Sequence, residues 1–561
     1  MEPLAAYPPL LATLLSNRGI TTDDEAERFL RPDYARDIGD PFGIIDMEKA
    51  VGRILAAIKK GEKIIIYGDY DCDGIPGSVV LHDFFRKINY DPATNYIPHR
   101  HLEGYGLNKD AIARFAKDGV SLIVTVDCGI TDVEEVAFAN TLGLEVIITD
   151  HHLPQAILPP AYAVVNSKRE GDTYTDKMLC GAGVAWKLVQ GLLIAGKKEN
   201  VPGFSDVPDG WEKWLLDMAG LSTIADMVPL RNENRAIAHF GLTVLRKSPR
   251  PGLQALLKKA GADQRRLTEE DVGFTIAPRI NAASRMDIPF TAFRMLSSRD
   301  AAEGGELATH LSALNDERKT QVAQMMKEAK AHLADREIRD VIVVGSPKWR
   351  VGIVGLAANK IAEEYGRPTF VWGREGSNEI KGSCRSNGRV NLVDLMVAAA
   401  EGTFVDKGGH EASGGFSVAH DKIHALENAL NDAYALVAKT IDEKKDDAHE
   451  AILGLADVNP QTYRMIATLA PFGVANPRPV FRFPHVTVAR ASAFGKAKDH
   501  LKLELIEGSR RIEAIQFFAT PASYPHVDLS DGRKVTVDGI MEESWFRGRP
   551  DLRLRIVSLS S

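Results

Sequence analysis

The sequence predicts a multidomain α/β protein: a doubly wound parallel sheet, a long connecting helix, a second α/β unit and a C-terminal β-barrel. Three observations carry this reading. Apolar strand-like runs alternate with helical stretches from about residue 46. A charged stretch without proline fills 300–337. Five short strand-like runs separated by turn residues fill the tail. A chain of 561 residues is too long for one hydrophobic core, so several domains are expected.

Taken in order, residues 9–30 read as a short helical preface. The run 63–67 (KIIIY) is a buried strand, followed by a Gly/Asp loop and a helix over 78–87. Segments 94–98, 121–126 and 145–149 are further strands, each followed by helical or loop sequence, as a parallel sheet requires. From 180 to 257 the pattern is mostly helical. A second α/β unit begins with the strand 340–344 and continues with a helix over 352–365, a strand over 368–371 and the Gly-rich stretch 408–415. After the charged stretch 442–450 come strands at 480–488, 501–506, 512–518, 534–541 and 552–557, the count of a small barrel such as an OB-fold.

Composition removes several classes. Hydrophobic residues make up 44 % and charged residues 26 %, which excludes a disordered or fibrous chain. Lys and Arg number 69 against 76 Asp and Glu, a net −7, so a uniformly basic nucleic-acid partner is excluded; a local basic groove is not. Four cysteines (Cys72, Cys128, Cys180, Cys384) lie far apart without a C-x-x-C pair, which argues against a disulfide scaffold or a structural zinc. No apolar run approaches the roughly 20 residues that span a bilayer. The apolar N-terminus lacks an early Lys or Arg and makes a poor signal peptide. A cytoplasmic location without membrane attachment is expected.

The sharpest chemical feature is Asp69-Tyr-Asp71-Cys-Asp73-Gly74, directly after an apolar strand. Three carboxylates at alternate positions repel one another unless a cation that prefers oxygen neutralises them. A solvated acidic turn is the bland alternative. An EF-hand is excluded, because its twelfth position falls on Val80 and a strand, not a helix, enters the loop. Two more strand ends repeat the theme: Asp127 in VTVDCG, and Asp150-His151-His152 in IITDHH. In a parallel sheet these ends converge. Asp226, in STIADMVP, closes a helical run. Asp69, Asp71, Asp73, Asp127, His151 and Asp226 together offer enough oxygen and nitrogen ligands for two cations, with Mn²⁺ or Mg²⁺ suited to the set. Which acid would bridge them is not legible.

GDYDCDG, VTVDCG, TDHH and STIADMVPL resemble the four motifs of the DHH phosphoesterase superfamily. HRHLEGYGLN (99–108) and PRINAASR (278–285) are similar to segments of its RecJ branch of single-strand exonucleases. KGSCRS (381–386) and GGHEASGG (408–415) resemble that branch's DHHA1-like substrate domain, and PFGVANPRPVF (471–481) the approach to its OB-fold. The likeness runs from about residue 18 to the C-terminus with the motifs in order. Three positions depart from it: Ser167 where proline is usual, Ser284 where glycine is usual, and Arg350 where histidine is usual.

The resemblance implies five parts: a helical preface over 1–45, a DHH catalytic domain over 46–299, the connecting helix, a DHHA1-like domain over 338–445 and an OB-fold over 446–561. It implies two-metal hydrolysis of single-stranded DNA from the 5′ end to 5′-mononucleotides, in DNA repair and recombination, with a single-strand-binding protein and a helicase as partners. The catalytic residues would be His152, facing the scissile phosphate as an acid or electrophile, and Asp150, orienting one of the two imidazoles, His151 or His152. Ser383, Arg385 and His410 would hold the terminal phosphate, with Arg279 and Asn281 reaching in from the catalytic side. Gly408 and Gly409 would let backbone N–H groups approach an anion; a plain turn is the alternative. Between 475 and 511 eight Lys or Arg, among them Arg478, Lys496 and Lys498, stand against three acids with Phe481, Phe483 and Phe494 interleaved. That is the composition of a single-strand groove, or of a solvated barrel face with its aromatics in the core. Rival readings are a DHH oligoribonucleotidase or nucleotide phosphatase, and a catalytically dead DHH scaffold in a replication assembly. The filled ligand positions speak against the scaffold and the basic tail against a small substrate.

Overall fold

The computed structural model describes residues 4–374, 380–438, 449–495, 497–544 and 550–561. Strands β1 (Lys63–Gly68), β2 (Ala93–Tyr96), β3 (Val120–Val126), β4 (Glu145–Thr149) and β5 (Ala163–Val165) form a parallel sheet in the order β2-β1-β3-β4-β5. The short β5 was not expected from the sequence. Ile64, Ile66, Leu122 and Val124 point into one core, and Ile65, Tyr67, Ile123 and Val146 into another on the opposite face. Burial on both faces is why these strands read as unbroken apolar runs instead of alternating ones. Helices Met47–Lys60, Gly74–Lys87 and Gly181–Lys198 cover the first face, and Lys109–Lys117 and Val133–Thr141 the second. The strand order reverses between β1 and β3, which opens a crevice at their carboxyl ends, where Asp69 and Asp127 sit.

The helix after β1 starts at Gly74, four residues before the expected start. A side chain at Gly74 would meet the Asp69 backbone at 2.5–2.6 Å, so only glycine lets helix and loop close this tightly. The connecting helix, Ala301–Ala334, has 34 residues, about 50 Å of length. It buries Leu311, Leu314, Val322, Met325 and Leu333 and leaves a charged face to solvent. The second sheet is mixed: β6 (Ile342–Gly345), β7 (Thr369–Gly373), β8 (Ile380–Arg385), β9 (Asp406–Gly409) and β10 (Ser413–Val418) in the order β6-β7-β8-β10-β9, with only β6 and β7 parallel. The Gly-rich stretch is thus a β9–β10 hairpin.

The tail carries β11 (Ala451–Ile452), β12 (Phe481–Phe494), β13 (His500–Glu507), β14 (Arg510–Gln516), β15 (Lys534–Ser544) and β16 (Asp551–Ser560). Pairing of β12 with β15 closes them into a barrel. The charged stretch 442–450 lies mostly outside the described residues. Helices Pro9–Asn17 and Asp23–Leu30 form as expected, and they pack on the barrel at the other end of the chain: Leu11, Leu14, Leu15 and Phe29 share its core with Leu455, Phe481, Phe483 and Val535. Arg18 fastens this contact, donating to Asn476 Oδ1 at 2.7 Å and pairing with Glu450 at 2.6 Å. All four cysteines are free and buried. No helix among the described residues is long and apolar enough to cross a membrane.

Candidate metal centre and phosphate site

Each acid of the cluster is placed by a local backbone device. Asp71 Oδ1 accepts from the backbone N–H of Asp73 (2.7 Å) and Gly74 (3.2 Å), which folds the acidic loop onto the start of its helix. The Asp73 carboxylate accepts from the N–H groups of Gly181 (2.6 Å) and Ala182 (2.8 Å), at the N-terminus of the next packed helix. Asp127 leaves β3 with φ at 63°, a left-handed conformation that costs a non-glycine residue about 1–2 kcal/mol and re-aims its side chain into the crevice. Asp226 ends the helix Leu216–Ala225.

These devices converge on His151. Its Nε2 lies 3.1 Å from Asp127 Oδ1, 3.6 Å from Asp73 Oδ2 and 3.7 Å from Asp226 Oδ2. Three overlapping groups have ligand atoms within 4.8 Å of one another: Asp73, His151 and Asp226; Asp69, Asp71 and Asp127; and Asp127, His151 and His152. All six residues expected as ligands therefore meet, with Asp127 and His151 each shared by two of the three groups. Burial, then the neighbouring carboxylates, push Asp69 and Asp127 well above the carboxylate range, Asp73 to about 6 and Asp226 to about 8. Burial and the adjacent His152 push His151 down to about 3, so it offers a neutral imidazole. Asp69 Oδ1 and Asp127 Oδ1 are buried without a hydrogen-bond partner. Crowded carboxylates, a neutral imidazole and orphaned oxygens fit divalent cations such as Mn²⁺ or Mg²⁺.

Asp150 is fully buried and does not reach the crevice. It accepts from the Ile130 N–H (3.0 Å), the His151 N–H (2.7 Å) and His152 Nδ1 (2.8 Å). Of the two residues expected as catalytic, Asp150 is therefore a positioning residue for His152. Burial works against charge on His152, but the bond and charge of Asp150 outweigh it and raise this imidazole to about 9. The Tyr105 hydroxyl also contacts His152 Nδ1 at 3.1 Å, which leaves Nε2 as the open atom. The His410 ring, at the tip of the β9–β10 hairpin, stacks on His152 with centroids 6.3 Å apart and planes at 11°. The two α/β domains thus meet across the crevice through these imidazoles. Gly408 and Gly409 pair with Gly415 and Gly414 in the hairpin ladder, which holds His410 out.

On the second domain, Ser383 and Arg385 lie on β8 against Gly355: a side chain there would come within 3.2 Å of both Arg385 Nη2 and Ser383 Oγ. Arg385 is not alone. Arg285 is half-buried and pushed down to about 9 by burial and then by Arg100, Arg318 and Arg385, with Asp71 as the opposing charge. Its Nη1 donates to the Gly352 carbonyl at 3.0 Å, tying the catalytic domain to the first turn of helix Val351–Tyr365. Mutually repelling guanidiniums beside an acid cluster form a ready phosphate site. Arg279, expected to reach in, spends Nη1 on its own helix at the Thr275 carbonyl (2.7 Å) and lies beside Arg318. Arg279 Nε, Asn281 Oδ1, Ser312 Oγ, Asn315 Nδ2 and Arg318 Nε are all buried without partners, near where the helix Ala277–Met286 packs on the connecting helix.

Sequence reasoning missed Arg100, Tyr105, Arg285, Asn315 and Arg318. The first three lie in the two segments already singled out, so a signal existed. Asn315 and Arg318 sit in a charged helical run that reads like any solvated face.

The barrel corrects part of the expected groove. Arg478 is not free for substrate: it pairs with Glu269 (2.6 Å) and Glu270 (3.2 Å) of the catalytic domain and stacks on Phe472, because carboxylates remote in sequence reach it. Arg482 pairs with Asp538, Lys502 with Glu513 and Arg511 with Glu504. Phe481 and Phe483 are core residues. Lys496 lies outside the described residues. Arg490 and Lys498 stay exposed. Near the barrel's far end Phe494 and His500 pack with Phe517 and Phe518, the last 84 % exposed, and neither Phe517 nor Phe518 was foreseen as a stacking residue.

Family models match three stretches of the chain: the DHH family N-terminal domain over residues 63–209, the DHHA1 domain over 339–441 and the RecJ OB domain over 449–558. These modules, in this order around an acid–imidazole cluster, define a multidomain DHH-type protein. Among curated proteins, the chain is 36 % identical to the single-stranded-DNA-specific exonuclease RecJ of Bacillus subtilis over 98 % of its own length and 68 % of the relative's. It is 30 % identical to that of Haemophilus influenzae, over 98 % and 95 %. The chain belongs to the RecJ single-stranded-DNA-specific exonuclease family. Among solved structures it resembles RecJ of Thermus thermophilus in complex with Mn²⁺, with a TM-score of 0.80, 27 % identity and coverage of 99 % of this chain and 76 % of that one. The Mg²⁺ complex of the same protein gives a TM-score of 0.74 at 25 % identity, over 99 % and 75 %.

Proposed function

We propose that this chain is a metal-dependent exonuclease that degrades single-stranded DNA from a phosphorylated 5′ end and releases 5′-mononucleotides, in DNA repair and recombination. The observation that carries the reading is the juxtaposition of an acid–imidazole cluster with a cluster of half-buried arginines, in one crevice bridged by His152 and His410. Asp69, Asp71, Asp73, Asp127, His151 and Asp226 would hold two cations. When bound, such ions activate a water and neutralise the oxygens of the phosphoester. The chain's own residues do the rest. Arg285, Arg385, Ser383 and His410 grip the terminal phosphate, which fixes how far the strand enters and sets the first phosphodiester over the acids. His152, oriented by Asp150 and Tyr105, presents Nε2 to the phosphoryl or leaving oxygen and holds the proton that the leaving oxygen takes.

A cytoplasmic setting with a single-strand-binding protein and a helicase to supply the strand belongs to the same reading. The test is digestion of 5′- and 3′-labelled single and double strands with Mn²⁺ or Mg²⁺. Early release of the 5′ label as mononucleotide from single strands alone is expected. Early release of the 3′ label, or equal attack on duplex, would contradict the assigned polarity or strand preference.

A further inference from the structure

Behind Arg385, between the connecting helix and helix Val351–Tyr365, lies a cavity of about 400 Å³. Arg318, Lys319, Lys360 and Arg385 line it against one carboxylate, Glu363, which already accepts from Asn359 Nδ2 at 2.7 Å. None of the six acid-cluster residues, nor His152 or His410, is among its walls. Its floor is apolar: Val322, Gly355 and Leu356. From Gly355, which packs on Arg385, to Glu363 the walls run eight residues along the helix, about 12 Å. Arg318 brings a buried Nε with no partner, and Lys360 has no carboxylate partner among the described residues. The Lys319 charge is only loosely offset by Asp316, 3.5 Å away and exposed. A cavity of this size with cations around an apolar floor suits a small anion that carries an apolar ring.

We propose that this cavity binds a nucleoside 5′-monophosphate, its phosphate held by Arg318, Lys319 and Lys360 and its base laid on Val322 and Leu356. Arg385 then has two faces, one toward the terminal phosphate of the strand and one toward this cavity, so a mononucleotide released in the crevice meets a second site beside the one it leaves. The proposal rests on the reading of the crevice as a source of mononucleotides.

The test is calorimetric titration of the full chain with dAMP in EDTA, where no strand is cut and no metal holds the phosphate, with inorganic phosphate and deoxyadenosine as parallel probes. One dAMP per chain is expected, with inorganic phosphate and deoxyadenosine each on the order of tenfold weaker or more. Lys360→Glu and Lys319→Glu, both exposed and outside the crevice, should each weaken dAMP on the order of tenfold through charge reversal beside a phosphate. Unchanged dAMP affinity in both variants would place the nucleotide elsewhere and overturn the proposal. Inorganic phosphate binding as tightly as dAMP would overturn the nucleoside part of it. Failure of the wild-type chain to digest single strands, measured separately, would count against the crevice reading alone, since the titration reads the cavity without turnover.

Discussion

Asp73 at about 6 and Asp226 at about 8 record a cluster whose charges oppose one another when nothing lies between them. Both values lie above the ordinary carboxylate range, so between about pH 4 and 8 the folded chain binds more protons than the unfolded one. Stability without metal should therefore fall as pH rises through that window, and saturating Mn²⁺ should raise Tm more at pH 8 than at pH 5. Differential scanning fluorimetry checks this; an equal Mn²⁺ shift at both values would mean the cluster does not take the ions. Asp127→Ala should cut hydrolysis at least 10²-fold, since it removes an electrostatic contact at the centre of the site, while circular dichroism stays that of the wild type. Retention of a tenth of the rate would remove Asp127 from the mechanism. At this scale the acids were legible because each follows an apolar strand, and a parallel sheet turns such positions toward one crevice. Of the arginine cluster only Arg385 was named; that Arg100, Arg285 and Arg318 join it was not read, because the four come from separate elements and only packing unites them.

If the β9–β10 hairpin and β8 deliver the terminal-phosphate grip as proposed, Arg385→Ala or His410→Ala should raise KM for 5′-phosphorylated strands more than it lowers kcat. Equal loss in both, in steady-state assays with phosphorylated and unphosphorylated ends, would point to a role in the chemical step. Where barrel and catalytic domain meet, Arg478 sits between Glu269, Glu270 and the Phe472 ring. Arg478→Ala strands the nearly buried Glu269 carboxylate and should cost roughly 2–4 kcal/mol, read as a barrel transition that separates from the main one in calorimetry. A single unshifted transition would mean the clamp contributes nothing to stability. Within β12, Phe481 and Phe483 occupy alternate positions and so share one face of the strand, the buried one. That periodicity was readable; what hid it was the run of basic residues around them, whose carboxylate partners on β13, β14 and β15 are visible only once the strands pair.

Over the whole molecule, the two ends of the chain make one unit. Because Leu11, Leu14, Leu15 and Phe29 complete the barrel core, a cut near Glu450 does not release a self-sufficient core, as a boundary at the charged stretch suggests; it strips these side chains of their cover. Residues 1–449 should bind a hydrophobic dye and aggregate on gel filtration, and a monodisperse fragment would refute this packing. The share of the basic 475–511 stretch in strand binding should be small, since among its described residues Arg490 and Lys498 are the exposed ones held by neither an ion pair nor a hydrogen bond. Neutralising both should flatten the slope of log K against log salt by about 1.4. The central proposal is that the six-residue cluster would hold two catalytic ions. The most direct measurement counts Mn²⁺ bound per chain by electron paramagnetic resonance in the same samples used for single-strand digestion. Two ions in the wild type, one in Asp226→Asn, and at most one ion with activity lost in Asp127→Asn are predicted. A single ion in the wild type, or two ions in Asp127→Asn, would contradict the account.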